Sequence, residues 1–290
     1  MIRSLFFAPA NRHDLIIKFP RFAADCYAID LEDGTPPDDK VEAREKLETA
    51  VNTLRELGVQ GLIYIRVNEP QSHHFIQDIQ AAVACDIDGL ILPKLERKEE
   101  LFPMLHTILR KEAEQPGGRH IEIMGGIESM RGVVNAVKIC SADARMTSVY
   151  FGAEDFAADI GARRTKNSEE VLLARSQVVL AAKVARILPI DQAVVDIRDD
   201  EQCRQDAEKG RDLGYTGKIC VLPRQVQICN TVFAPQAEEI EDAKELIVAY
   251  TQAVKSGYGT IDFRGKMIDG PLLKRAQATL AMALKLDTKN

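Results

Sequence analysis

Several absences narrow what this chain can be. No apolar run approaches the roughly 18 residues that a membrane helix needs, so no membrane partner is expected. There is no basic excess: 38 Lys and Arg stand against 44 Asp and Glu, a formal charge of -6, which argues against nucleic acid as the main partner. The six cysteines (Cys26, Cys85, Cys140, Cys203, Cys220 and Cys229) are far apart and include no C-x-x-C pair. They read as buried thiols in a reducing compartment, the cytoplasm, rather than as a disulfide framework. The five histidines show no zinc-type spacing, and the adjacent His73 and His74 read as the exposed start of a helix. The opening MIRSLFFAPANR has only a brief apolar run and reads as a first strand, not a signal peptide. No G-x-G-x-x-G follows that strand, which counts against a doubly wound dinucleotide fold.

What is present is a repeating alternation. Short, nearly continuous apolar runs recur as RSLFFAP, CYAIDLED, GLIYIRVN, GLILPKLE, HIEIMGGIES, SVYFGAEDF, AVVDIRD and GKICVLP. Strands buried on both faces read this way. Helical segments lie between them. The stretch from Asp39 to Leu57 places Val41, Leu47, Val51 and Leu54 toward one face, and the helix before Gly214 gains a C-cap from it. Eight strands with helical crossovers predict an α/β fold, a parallel (β/α)8 TIM barrel over residues 1–234. Residues 235–290 follow as an extension: a long helix from Pro235 to about Ser256, the glycine-rich GYGTIDFRGKMIDGP, and a closing helix from Leu272 to about Lys285. A barrel needs no such tail, so it reads as a lid or a subunit contact of a single domain.

In a parallel barrel the chemistry sits where strands end. Those ends carry Asp30, Glu32 and Asp33, then Arg66 and Asn68, Lys94 and Glu96, Glu128, Glu154 and Asp155, and Asp196. FGAEDFAADIG alone sets three carboxylates among apolar and small residues, where a charge needs a partner. A ring of acids repels itself. Arg66 can neutralise part of it and a divalent cation more. Magnesium takes one or two carboxylates plus waters, and Glu128 and Asp155 on adjacent strands can supply such a pair. Taken singly, Asp33, Asp155 and Asp199 read first as helix caps, and it is their convergence at one rim that favours function; Asp159 can pair with Arg163 one helical turn on.

The ordered set RSLFFAPANR, AIDLEDGTPPDDKVEAR, IYIRVN, GGIESMRGV, YFGAEDFAADIGARR and DGPLLKRAQATLAMA resembles the HpcH/HpaI aldolase/citrate lyase family, in its citrate lyase β-subunit-like branch, over nearly the whole chain. The resemblance implies a barrel of the phosphoenolpyruvate/pyruvate type with a C-terminal lid. It implies Mg2+ on Glu128 and Asp155, with Glu32 and Asp33 behind the metal. Arg66 would bind and polarise the reacting oxygen, and the backbone of Gly152, Ala153 and Glu154 would receive the substrate carboxylate. Asp269 would be a catalytic aspartate reaching a neighbouring subunit of a homotrimer; the alternative, less favoured, is a turn residue before Gly270 and Pro271. The implied activity is cleavage of a citramalyl-CoA- or malyl-CoA-like thioester into a 2-oxo acid and acetyl-CoA. A thioesterase on the same scaffold, a citrate lyase subunit acting on an acyl carrier protein, and a non-catalytic metabolite-binding protein are the alternatives. Two positions depart from the family pattern: Leu222 stands where a histidine commonly precedes Pro223, and Ala10 where a glycine commonly follows Pro9. Arg12 and Lys40 are the basic residues near the rim that a phosphate could use.

Overall fold

A computed structural model describes residues 1–114, 117 and 119–287. The chain divides into two compact units, Met1–Phe233 and Ala234–Asn290. In the first, β1 (Ser4–Pro9), β2 (Cys26–Asp30), β3 (Leu62–Arg66), β4 (Gly89–Leu92), β5 (Glu122–Ile127), β6 (Met146–Phe151), β7 (Leu188–Asp191) and β8 (Gly217–Cys220) pair in sequence order into a closed parallel barrel. Closure is made by β1 against β8, with Ser4 opposite Lys218. The helices are α1 (His13–Ile16), α2 (Lys40–Glu45), α3 (Leu47–Glu56), α4 (Phe75–Ala84), α5 (Phe102–Glu114), α6 (Met130–Cys140), α7 (Ala153–Asp159), α8 (Leu172–Ala185), α9 (Asp200–Leu213) and α10 (Pro223–Val232).

The near-continuous apolar runs are explained by two cores. Leu5, Cys26, Ala28, Tyr64, Ile91, Met124, Tyr150 and Ile190 fill the barrel interior. Their neighbours along each strand, such as Phe6, Ile29, Ile63, Leu90 and Val149, belong to the larger layer under the helices. Strands with apolar residues on both faces can only be stable enclosed in this way.

Three expectations are corrected. The seventh strand is LPID, not AVVDIRD: α8 ends on Arg186 in the left-handed region (φ 61), and the chain enters the barrel at once. The later apolar residues Val195 and Ile197 lie exposed on a loop, and Asp196 with them. The helix expected from Asp39 to Leu57 breaks at Lys46 into α2 and α3. Leu47, Val51 and Leu54 are buried on α3, but Val41 is 48% exposed on α2. Asp159 binds the Met130 N–H rather than Arg163. The C-cap at Gly214 is as expected, with φ 103.

One polar cluster holds the last two barrel strands to their helices. Arg175 on α8 donates from Nε to Asp191 Oδ1 at 2.8 Å and from Nη1 to Asp206 Oδ1 at 3.0 Å. Lys218 Nζ reaches Asp191 Oδ2 at 3.1 Å and also Asp206. None of the four side chains is more than 6% exposed, and their charges cancel. The two cations hold the Asp206 carboxyl down at about 2 even though burial opposes this. A buried set of this kind tolerates no missing member.

The second unit contains α11 (Ala237–Lys255), a hairpin of β9 (Ile261–Phe263) and β10 (Lys266–Ile268), and α12 (Gly270–Asp287). The hairpin lies in the glycine-rich segment expected as a lid. Its two-residue turn, Arg264-Gly265, has φ of 52 and 78, the pair of positive angles that matches strand twist.

Candidate active site

Strand register brings the rim residues together. Asp30 ends β2 opposite Arg66 at the end of β3. Arg66 donates from Nε and Nη2 to the two Asp30 oxygens, both at 2.7 Å, and its Nη1 lies 3.0 Å from Glu32 Oε2. Its guanidinium also sits 4.8 Å from the Phe7 ring centroid. Burial alone would raise the Asp30 carboxyl, but the guanidinium outweighs it and holds it low. Glu32 shifts the other way: burial pushes it up more than Arg66 and Lys94 pull it down. Lys94 Nζ bridges Glu32 Oε1 at 2.8 Å and Asp33 Oδ2 at 3.2 Å.

Glu128 follows β5 and is almost fully buried. Its Oε1 accepts the Tyr150 hydroxyl at 2.5 Å and the Lys94 backbone N–H at 2.9 Å. Among the described residues no donor reaches Oε2. Burial, with help from Glu32, pushes this carboxyl up to about 7. Two glycines make the arrangement possible. A Cβ on Gly126 would meet Tyr150 Oη at 2.5 Å, and one on Gly152 would meet Glu128 Cγ at 2.6 Å. Lys94 holds φ 51, a backbone region that residues with a side chain rarely adopt. That strain aims both its N–H and its ammonium at the acids.

Asp155 lies exposed in the first turn of α7, and among the described residues its carboxylate makes no hydrogen bond or ion pair. It lines a cleft of about 410 Å³ together with Glu128, Asp33, Arg66 and Tyr150. Two carboxylates with unclaimed oxygens on one cleft suit a cation that keeps most of its shell as water and substrate oxygen. No group of three or more His, Cys, Asp or Glu among the described residues is placed to hold a metal, so a fully protein-caged ion does not fit.

The other expected residues fall as follows. Gly152 lends its N–H to Ile127 O at 3.0 Å, which leaves those of Ala153 and Glu154 at the start of α7. The Glu154 side chain pairs with Arg164 at 2.9 Å. Asp159 does not pair with Arg163; it accepts the Met130 N–H at 2.7 Å, satisfying the start of α6 from across the chain. Asp199 is a cap, accepting Gln202 N–H at 2.8 Å. Arg12 is held by Asp14, and Lys40 by Glu32 O and Asn68. Gln225 folds back to the N–H groups of Val221 and Leu222. The Ala10 N–H is bound by Asp30 O and Thr35. Asp269 belongs to the second unit, just before α12, with its carbonyl accepting Leu273 N–H at 3.0 Å.

Tyr150 was not anticipated from sequence. The available signal was its place in β6 two residues before Gly152, which puts it on the inner face just below the rim. No helix among the described residues is long and apolar enough to cross a membrane.

Residues 3–223 match the model of the HpcH/HpaI aldolase/citrate lyase family. A citrate lyase subunit beta-like protein of Deinococcus radiodurans is 36% identical over 283 residues, 97% of each chain. The mitochondrial citramalyl-CoA lyase of Mus musculus is 31% identical over 302 residues, covering 99% of this chain and 87% of the relative. Among solved structures, the CitE protein of Mycobacterium tuberculosis in complex with magnesium, acetoacetate and coenzyme A is similar with a TM-score of 0.78, at 25% identity over 97% of both chains. With its closed eight-stranded barrel and the acidic rim built around Arg66, this chain belongs to the HpcH/HpaI aldolase/citrate lyase family.

Proposed function

We propose that this protein is a magnesium-dependent carbon–carbon lyase that cleaves a 3-hydroxyacyl-CoA of the citramalyl-CoA or malyl-CoA type to a 2-oxo acid and acetyl-CoA. The observation that carries this reading is the pairing of two unclaimed carboxylates, Glu128 Oε2 and Asp155, with Arg66 on one cleft. Magnesium held by that pair would supply Lewis acidity toward the substrate hydroxyl and its adjacent carboxylate. The N–H groups of Ala153 and Glu154, which have no backbone acceptor among the described residues, would orient that carboxylate.

Transfer of the hydroxyl proton to solvent water and rupture of the carbon–carbon bond leave a ketone on one fragment and a thioester enolate on the other. Arg66 stabilises the enolate oxygen. Asp30 fixes its guanidinium plane in advance, so little reorganisation is needed as charge develops. Glu32, paired with Arg66 and Lys94, and Asp33, paired with Lys94, hold the polar wall behind. An acid then returns a proton to the enolate carbon, completing acetyl-CoA. Asp269 from another copy of the chain is the proposed donor, which makes the active form a homo-oligomer, a trimer by family likeness. The six buried free cysteines suit a reducing compartment, which we take to be the cytoplasm.

The test is incubation with citramalyl-CoA and malyl-CoA, with and without magnesium, and product analysis by mass spectrometry. Magnesium-dependent release of pyruvate or glyoxylate with acetyl-CoA is expected. Free CoA with an intact hydroxy acid would overturn the lyase in favour of a thioesterase. Turnover only on an acyl carrier protein would make the chain a citrate lyase subunit. Magnesium-dependent binding of 2-oxo acids without turnover would leave it a metabolite-binding protein.

A further inference from the structure

Resting on the reading of Glu128 and Asp155 as metal ligands, we infer that Tyr150 decides which divalent cation the site accepts, by confining Glu128 to coordination through one oxygen. A carboxylate oxygen offers two lone-pair positions. On Glu128 Oε1 both are taken, by the Tyr150 hydroxyl at 2.5 Å and the Lys94 N–H at 2.9 Å. Among the described residues no donor reaches Oε2 of Glu128, which lines the cleft. Two-oxygen chelation of an ion would require Oε1 to give up one of these hydrogen bonds.

Neither donor can drift aside. The Tyr150 ring is 1% exposed within the barrel interior, and its hydroxyl sits where any side chain on position 126 would collide with it. The Lys94 N–H is fixed by a backbone held at φ 51. Glu128 itself cannot swing toward β6, because Gly152 already packs against its side-chain carbons. The carboxylate is thus clamped in one orientation from two sides.

Cations differ in what they ask of such a group. Magnesium is small, octahedral and content with single oxygens and retained waters. Calcium takes six to eight oxygens and commonly uses both oxygens of a carboxylate. A clamped Glu128 therefore favours magnesium, or manganese of similar size, over calcium. Tyr150 does this through Glu128 and is a positioning residue, not a catalytic one. Tyr150→Phe keeps the ring and the packing but releases one position on Oε1.

The experiment is calorimetric titration of magnesium and calcium into the wild-type protein, Tyr150→Phe and Glu128→Gln, with thermal melts to confirm folding. In Tyr150→Phe the magnesium affinity should fall by about 10- to 100-fold, as for other losses of a partner behind a metal ligand. Calcium should lose less or gain, so the preference for magnesium should narrow by about tenfold or more. A preference unchanged in folded Tyr150→Phe, with both metals still dependent on Glu128, would overturn the inference and leave the metal site standing. Metal binding that is absent in wild type, or identical in Glu128→Gln, would remove the site and the inference together. A second measurement needs no tyrosine variant: the infrared carboxylate bands of the magnesium-loaded wild type, assigned by subtraction of Glu128→Gln. Widely split bands of single-oxygen coordination are expected, and the narrow splitting of a chelating carboxylate would refute the clamp.

Discussion

Lowering the pH should weaken magnesium binding in step with protonation of Glu128. Burial and the neighbouring Glu32 lift this carboxyl to about 7, against the pull of Arg66 and the hydrogen bond from Tyr150. A metal needs the deprotonated ligand, so proton and cation compete for one group. At about pH 8 roughly nine-tenths of the protein is ready to bind, and at about pH 6 roughly one-tenth, so the apparent affinity falls about tenfold between those two values. The metal-free protein should show the mirror effect. Its folded state keeps a proton that the unfolded chain releases near 4.5. Its stability therefore declines as pH rises from about 4.5 to about 7, by about 3 kcal/mol, and magnesium restores the loss. The assay is calorimetric titration of magnesium between about pH 5.5 and pH 8 in two buffers of different ionisation enthalpy, which counts the protons released. Close to one proton per ion at the acid end is expected. An affinity flat across that range, or no proton released, would refute the account of Glu128.

The remaining predictions concern other parts of the barrel. Lys218→Met leaves Asp191 and Asp206 buried with Arg175 alone, so urea denaturation should show a loss of about 3–5 kcal/mol; a loss below about 1 kcal/mol would contradict the cluster's role. Gly152→Ala drives a methyl against Glu128 and should weaken magnesium binding by about tenfold or more, measured by titration, with the fold retained; unchanged affinity would mean that the loop yields freely. Arg66→Lys keeps the charge but loses the two-pronged bond to Asp30, and kcat should fall by about 10²- to 10³-fold; a decline of less than about threefold would exclude Arg66 from transition-state stabilisation.

The barrel was legible because its strands are buried on both faces and so carry near-continuous apolar runs, which repeat in the sequence with helices between. The rim acids were legible for the same reason: a charge placed just after an apolar run marks the strand's end. The seventh strand was misplaced because Pro189 interrupts its short run, while the more apolar Ala193–Val195 lies just beyond on a loop. For Asp159 the sequence pattern points to a helical neighbour, but its partner, Met130, lies 29 residues away.

The sequence by itself determined the fold class, the order of the strands and most of the acids at the rim, Asp196 excepted, since these follow from local patterning and chain order. Tertiary structure alone decided which acids remain free. Asp30 is consumed by Arg66, Glu32 is shared between Arg66 and Lys94, and one oxygen of Glu128 is bound by Tyr150 and Lys94, while Asp155 and Glu128 Oε2 stay open to the cleft. Those pairings join residues from different strands. Their energies depend on distance, burial and the room left by Gly126 and Gly152, none of which is written in any one segment.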